Sequence, residues 1–383
     1  MRICFLAAED SIHTKHWADY FIGRGDDVCI LTFHPGRQSY SNTYHLRTYF
    51  RKAKTKGGNW QYLLSLKKIC RILRKIKPDI VNAHYLTSYG LLAALSGFHP
   101  LVITVHGSDI KITPQKNFIY HKLAKFSLTR ADLIFSAARH ITEDIYKYGI
   151  ARQKIVTVQY GICPDIFNIE GRSSSPYELI TTRRLETVSN YQAVLEAMAI
   201  IKSKRLQTKL LIIGSGTLKN HLCSYAAVLG LEENVTFLGE VRQEEVARRL
   251  KQSRLFISVT HSDGAPLSLL EAMACGTVPI VSDIPANREW IFEGENGFFA
   301  DRDNPQNIAE TVLSVLGLDN NMFDEIARKN TELIAQRAFY NNNMAIIAEY
   351  FDRLTRLFIN SKQYRVRGFK NNKRLSTTGI QSP

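Results

Sequence analysis

Paired cysteines are missing from this sequence. Cys4, Cys29, Cys70, Cys163, Cys223 and Cys275 are scattered, with no C-x-x-C and no histidine cluster at metal-ligand spacing. That pattern offers neither a zinc module nor a disulfide framework, and the thiols read as buried apolar residues of a cytosolic protein. No run approaches the ~20 apolar residues of a membrane-spanning helix. The opening MRICFLAAED meets Glu9 and Asp10 too soon for a signal peptide. Acid is absent from residues 47–77, which hold eleven Lys/Arg. No nucleic-acid fold signature accompanies that charge, so nucleic acid is not an expected partner.

What is present points to a two-domain α/β protein. The chain has 383 residues and 45% apolar content, enough for two cores. Residues 1–177 hold 25 Lys/Arg against 12 Asp/Glu, residues 178–345 hold 17 against 21, and the last 38 hold 8 against 2. The net +15 therefore belongs to the first half and the tail. From Trp60 onward, Leu63, Leu66, Ile69, Ile72, Leu73 and Ile76 recur at near-helical spacing, with Lys67, Lys68, Arg71, Arg74 and Lys75 on much of the other face. Two readings stay open: a solvated helix packed on its own domain, or a face for an anionic membrane surface.

The most informative stretch is residues 255–282. LFISVT predicts a buried parallel strand, LSLLEAMAC a helix opened by Pro266 and stopped at Gly276, and VPIV the next strand. The turn before that helix lies at the carboxyl edge of the sheet, where open α/β sheets bind ligands. Free N–H groups from Gly264 to Ser268 and the helix dipole can hold an anion there. Glu271 lies roughly 7–8 Å further along the helix, about the reach from a diphosphate to ribose hydroxyls. An unpartnered charge among such apolar neighbours is expensive, which favours a ligand-binding carboxylate.

With Asp263, this segment resembles the donor-site signature of the retaining glycosyltransferases of family 4, E-x7-E followed by AMA-x-G-x-P-V-V, with Asp263 in place of the first Glu. The resemblance covers about residues 1–358 and implies two Rossmann-like doubly wound domains facing a cleft, the GT-B architecture. It implies a nucleoside diphosphate sugar as co-substrate, a saccharide or lipid-linked acceptor, hexosyl transfer with retention, and neither cofactor nor metal. By resemblance Asp263 faces the donor sugar, Glu271 the ribose, and Gly264, Ala265, Pro266, Leu267 and Ser268 hold sugar and phosphate. Arg184 matches the family's diphosphate-binding Arg, with Arg183 beside it as a further donor-site cation, but Ser189 stands where the family has Lys. Gly214 and Gly216 form the turn lining base and phosphate, and His106, in an HG-S-D turn, points toward the acceptor. The loop Glu9–Lys15 lacks the family's paired glycines.

The expected organisation is an acceptor domain over 1–170, a linker at 171–177, a donor domain over 178–340, a returning helix over 341–358 and a disordered basic tail over 359–383. Because Ser189 replaces Lys, a catalytically impaired or regulatory relative remains an alternative, as does a sugar-nucleotide epimerase. A nicotinamide-dependent dehydrogenase rests only on Gly214-x-Gly216, whose third glycine is absent.

Overall fold

Strands buried on both faces need side chains that are apolar at nearly every position, and RICFL, LVITV, LIFS and LFIS are of that kind. In the computed structural model of the chain, which describes residues 1–36, 40–46, 60–173 and 177–366, all of these segments are strands. Two compact units form: Met1–Tyr160 with the described residues from Asn343 onward, and Gly161–Asn342.

The first unit is built on β1 (Arg2–Leu6), β2 (Asp27–Thr32), β3 (Thr43–His45), β4 (Ile80–His84), β5 (Leu101–Val105), β6 (Leu133–Ser136) and β7 (Ile155–Thr157). They form one sheet in the order β3-β2-β1-β4-β5-β6-β7, all neighbours parallel. Helix Tyr340–Val366 packs on this unit through most of its length: Phe351 stacks on Phe21 with ring centroids 5.1 Å apart, and Arg24 pairs with Asp352 at 2.9 Å. The helix continues through residues 359–366, which the sequence assigned to a disordered tail. Expectations on 47–59, 174–176 and 367–383 lie outside the described residues.

The second unit has β8 (Leu179–Thr181), β9 (Leu210–Ile213), β10 (Val235–Gly239), β11 (Leu255–Ser258), β12 (Val278–Ser282) and β13 (Phe298–Ala300). Their order is β10-β9-β8-β11-β12-β13, again all parallel. Alternation along each strand supplies two cores: Leu179, Leu210, Leu255 and Ile257 face one, and Ile180, Leu211, Phe256 and Val281 the other. Each such fully buried side chain contributes about 1.5–3 kcal/mol relative to exposure. Residues 161–170, assigned from sequence to the first domain, belong here. The Ile162 N–H donates to Ala338 O, the Tyr340 N–H donates to Ile162 O, and Phe167 joins the second core.

In both sheets the strand order reverses beside the first strand, between β1 and β4 and between β8 and β11. These reversals are the topological switch points, and each leaves a crevice at the carboxyl ends of its strands.

The six cysteines are unpaired; Cys4, Cys29 and Cys275 are buried as expected, while Cys70, Cys163 and Cys223 are half-buried. Among the described residues no helix is long and apolar enough to cross a membrane.

Candidate functional site

At the switch point of the second unit, the loops after β8, β9 and β11 meet. β8 runs into Arg183, Arg184 and Leu185, and the Gly-x-Gly turn after β9 packs against that backbone. A Cβ at Gly214 would lie 2.4 Å from Arg183 O, and one at Gly216 2.3 Å from Leu185 O. The Leu185 N–H also donates to Ser215 O. Close approach of two backbones is therefore the first reason for both glycines. Gly216→Ala is expected to cost about 1–3 kcal/mol by overpacking, because backbone cannot yield as a side chain does. A urea midpoint lowered without a change in slope would show it.

Helix Leu267–Ala274 begins at this edge as the sequence predicts, with Pro266 as its N-cap and Gly276, at φ +73°, just past its end. The anion-binding amides are fewer than expected. Pro266 has none, the Ala265 N–H donates to the Asp263 carboxylate at 3.2 Å, and the Leu267 N–H donates to Ala265 O. Gly264 and Ser268 keep free N–H groups among the described residues. Asx-type closure of a tight turn by Asp263 consumes the Ala265 donor, and the Ala265 carbonyl that of Leu267.

Asp263 is also paired with Arg183 at 2.5 Å, their side chains 12% and 16% exposed. In this geometry the Asp263 carboxylate is engaged by Arg183 and by its own turn, and the Arg183 charge is neutralised within the protein. Arg183 Nε is left buried without an acceptor. Arg184 differs. Its side chain is 82% exposed and, among the described residues, meets only Glu186, at 3.7 Å, so its charge remains available. Ser189, at the expected Lys position, donates its hydroxyl to Arg184 O at 2.7 Å and is 5% exposed. It braces the turn that presents Arg184 and carries no charge into the site.

Glu271 stands on the same helix, half-buried, with no hydrogen-bond partner among the described residues. Burial alone pushes its carboxyl up from 4.5 to about 8. The folded chain then binds this proton at pH values where the unfolded chain has released it. Folded-state stability contributed here is full below about pH 4.5 and is lost as pH rises toward 8. Glu271→Gln is therefore expected to match the parent near pH 5 and to melt higher at pH 8. Each pKa unit is worth about 1.4 kcal/mol, and one unit shifts the melting temperature of a protein of this size by about 2–4 °C. Parallel melting curves at both pH values would contradict the assignment.

The corresponding edge of the first unit carries a cluster that sequence reasoning found only in part. His106 follows β5, His84 ends β4, and His13 lies at the start of helix Ile12–Gly23, after β1. Ring centroids are 5.3 Å apart for His13–His106 and for His84–His106, and Tyr85 stacks on His106 at 4.3 Å. Tyr85 holds φ +70°, a strained conformation for a non-glycine residue, in laying its ring there. Both ring nitrogens of His84 and Nε2 of His106 are buried without a partner. Burial first, and neighbouring histidines second, lower all three imidazoles, His13 to about 4 and His84 to about 3. Asp109 accepts from the N–H groups of Leu86, His106 and Gly107, which fixes the two turns, while burial raises its carboxyl to about 6. The edge is thus polar, aromatic and nearly uncharged. Tyr85 was legible only as the residue that directly follows β4, and His13 only as one at the start of the helix after β1. Among the described residues no group of three or more His, Cys, Asp or Glu is arranged to hold a metal.

Comparison with known proteins decides the family. The model of the glycosyl transferases group 1 matches residues 164–332, and that of the glycosyl transferase 4-like proteins matches residues 2–138. The chain belongs to the group 1 glycosyltransferases. Among its relatives is N-acetyl-alpha-D-glucosaminyl L-malate synthase of Bacillus anthracis, 24% identical over 299 residues, covering 74% of this chain and 76% of the relative. Another is GDP-mannose:cellobiosyl-diphosphopolyprenol alpha-mannosyltransferase of Xanthomonas campestris, 22% identical over 282 residues, covering 72% and 73%. The crystal structure of Anabaena Alr3699/HepE in complex with UDP and glucose shares the fold of this glycosyltransferase at TM-score 0.77. It is 17% identical and covers 92% of this chain and all of that one.

Proposed function

We propose that this glycosyltransferase acts with retention, moving a hexosyl group from a nucleoside diphosphate sugar to a hydroxyl of a lipid-linked or membrane-proximal saccharide. The setting is cell-surface polysaccharide or glycolipid biosynthesis on the cytosolic face of a membrane. The observation that carries the reading is Glu271: a carboxylate without a protein partner, one and a half turns into a helix whose start offers the free amides of Gly264 and Ser268. A ribose diol supplies the two donors that carboxylate lacks, and a diphosphate fits the amides and Arg184. UDP and glucose in the Anabaena protein support the donor class, and the diphosphopolyprenol acceptor of the Xanthomonas relative supports the acceptor class.

In this reading the bond from the anomeric carbon to the leaving diphosphate oxygen breaks on the face where the acceptor oxygen bonds. The acceptor's proton passes to the leaving phosphate. Arg184 and the amides stabilise the charge that develops there, with no metal ion invoked. The neutral imidazoles of the partly exposed His13 and His106 suit the hydroxyls of an uncharged sugar acceptor, to which they can donate or accept.

A thermal-shift screen across nucleoside diphosphate sugars tests the reading, because a ligand bound only by the folded state raises stability. A stabilising donor that releases its nucleotide on addition of a lipid-linked saccharide supports it; no stabilisation by any donor contradicts it. Ser189, buried on its own turn instead of supplying a cation, favours a second reading as a catalytically impaired relative. Donor binding without nucleotide release from any donor and acceptor would select that one.

A further inference from the structure

A second concavity lies at the opposite, amino-terminal edge of the first unit's sheet. It has a volume of about 660 Å³, within the ~300–1,000 Å³ of small-molecule sites. Its walls come from the C-terminal end of helix Leu66–Ile76, the turns entering β4 and β5, and the last turns of the helix Tyr340–Val366. Leu73, Phe98, Pro100 and Phe358 give it an apolar lining, and Arg74 and Lys77 stand at its rim.

The walls carry two cations, Arg74 and Lys77, against one carboxylate, Asp79. Arg74 and Lys77 are exposed and have no ion-pair partner among the described residues. Asp79 accepts from the Arg2 N–H at 2.7 Å, and His99 is turned to Asp132, also at 2.7 Å. Ile359, also in the lining, is 48% exposed and Leu357, outside it, 49%, and Lys67, Arg71, Lys75 and Arg356 are exposed on the two helices. A soluble anion would use the rim cations but gains nothing from the apolar lining or the exposed leucine and isoleucine. An amphiphile with an anionic head uses all of them.

We propose that this cavity seats the headgroup and upper acyl segment of an anionic phospholipid, docking the first unit on a bilayer. The site lies at the sheet edge opposite the histidine cluster, so occupancy leaves that edge free. The proposal rests on the membrane-proximal reading only for the source of the lipid, and its test requires no transfer.

The test uses the full chain and equilibrium binding of monomeric short-chain phosphatidylglycerol, with short-chain phosphatidylcholine and inorganic phosphate as the other arms. Saturable binding of phosphatidylglycerol alone is expected. It should fall about tenfold or more in Ile359→Asp and in Arg74→Gln with Lys77→Asn, asparagine being chosen because position 77 holds φ +45°. Lys67→Gln with Lys75→Gln removes the same charge from the same helix outside the cavity and should leave this binding unchanged. Equal binding of phosphate or phosphatidylcholine, or an equal loss in the Lys67/Lys75 variant, overturns the proposal. In the last case, persistent salt-sensitive binding to phosphatidylglycerol vesicles by the cavity variants would leave the membrane-proximal reading standing while the cavity site falls.

Discussion

Glu271→Ala is expected nearly to abolish transfer and to weaken donor binding while the fold persists. The carboxylate has no protein partner to lose, so its removal leaves no unsatisfied donor behind; what disappears is an acceptor for the ligand. Hydrogen bonds to a charged group contribute roughly 1.5–3 kcal/mol each, and a diol offers two. The proton balance adds a sharper signature. A carboxyl raised to about 8 in the free protein must ionise to accept from a diol, so nucleotide binding releases a proton below that pH. Affinity for the nucleotide should therefore rise with pH between about 6 and 8, and that slope should vanish in Glu271→Gln. Unchanged kinetics in the purified alanine variant, or a flat pH profile in the parent, would remove Glu271 from the site.

Arg184→Ala is the second large effect, a fall in kcat equivalent to roughly 2–4 kcal/mol, as for other preorganised groups aimed at developing charge. The adjacent Arg183→Ala should act differently. Its guanidinium is neutralised by Asp263 at 2.5 Å, so it has little charge to lend a diphosphate, and its removal strands a carboxylate that is 12% exposed. Loss of stability should dominate over loss of turnover. A double-mutant cycle with Asp263→Ala should recover much of that stability, because the stranded charge goes with it. Arg183→Ala costing more turnover than Arg184→Ala, at equal stability, would reverse the two roles.

The sequence by itself determined the two Rossmann-like sheets, the helix after β11 and the carboxylate on it. These follow from local rules: strands that are apolar at nearly every position, a proline that opens a helix, a glycine that closes it, and a spacing along one helix that fixes Glu271 relative to its N-terminus. Ser189 was legible as a departure, but not the hydroxyl bond that turns it into a brace for Arg184.

Tertiary structure decided which of two adjacent arginines keeps its charge, because that depends on Asp263, eighty positions away and one strand over. It also decided how many amides remain for a ligand, since an Asx-type turn consumes its own donors. His84 and Tyr85 join His106 because β4 pairs with β5, and His13 joins them because strand order reverses between β1 and β4, pairings no window of sequence contains. Residues 161–170 went to the second unit because their partners, such as Ala338 for Ile162, are distant in the chain. Local spacing fixes what a residue can do, and long-range packing fixes what it is left free to do.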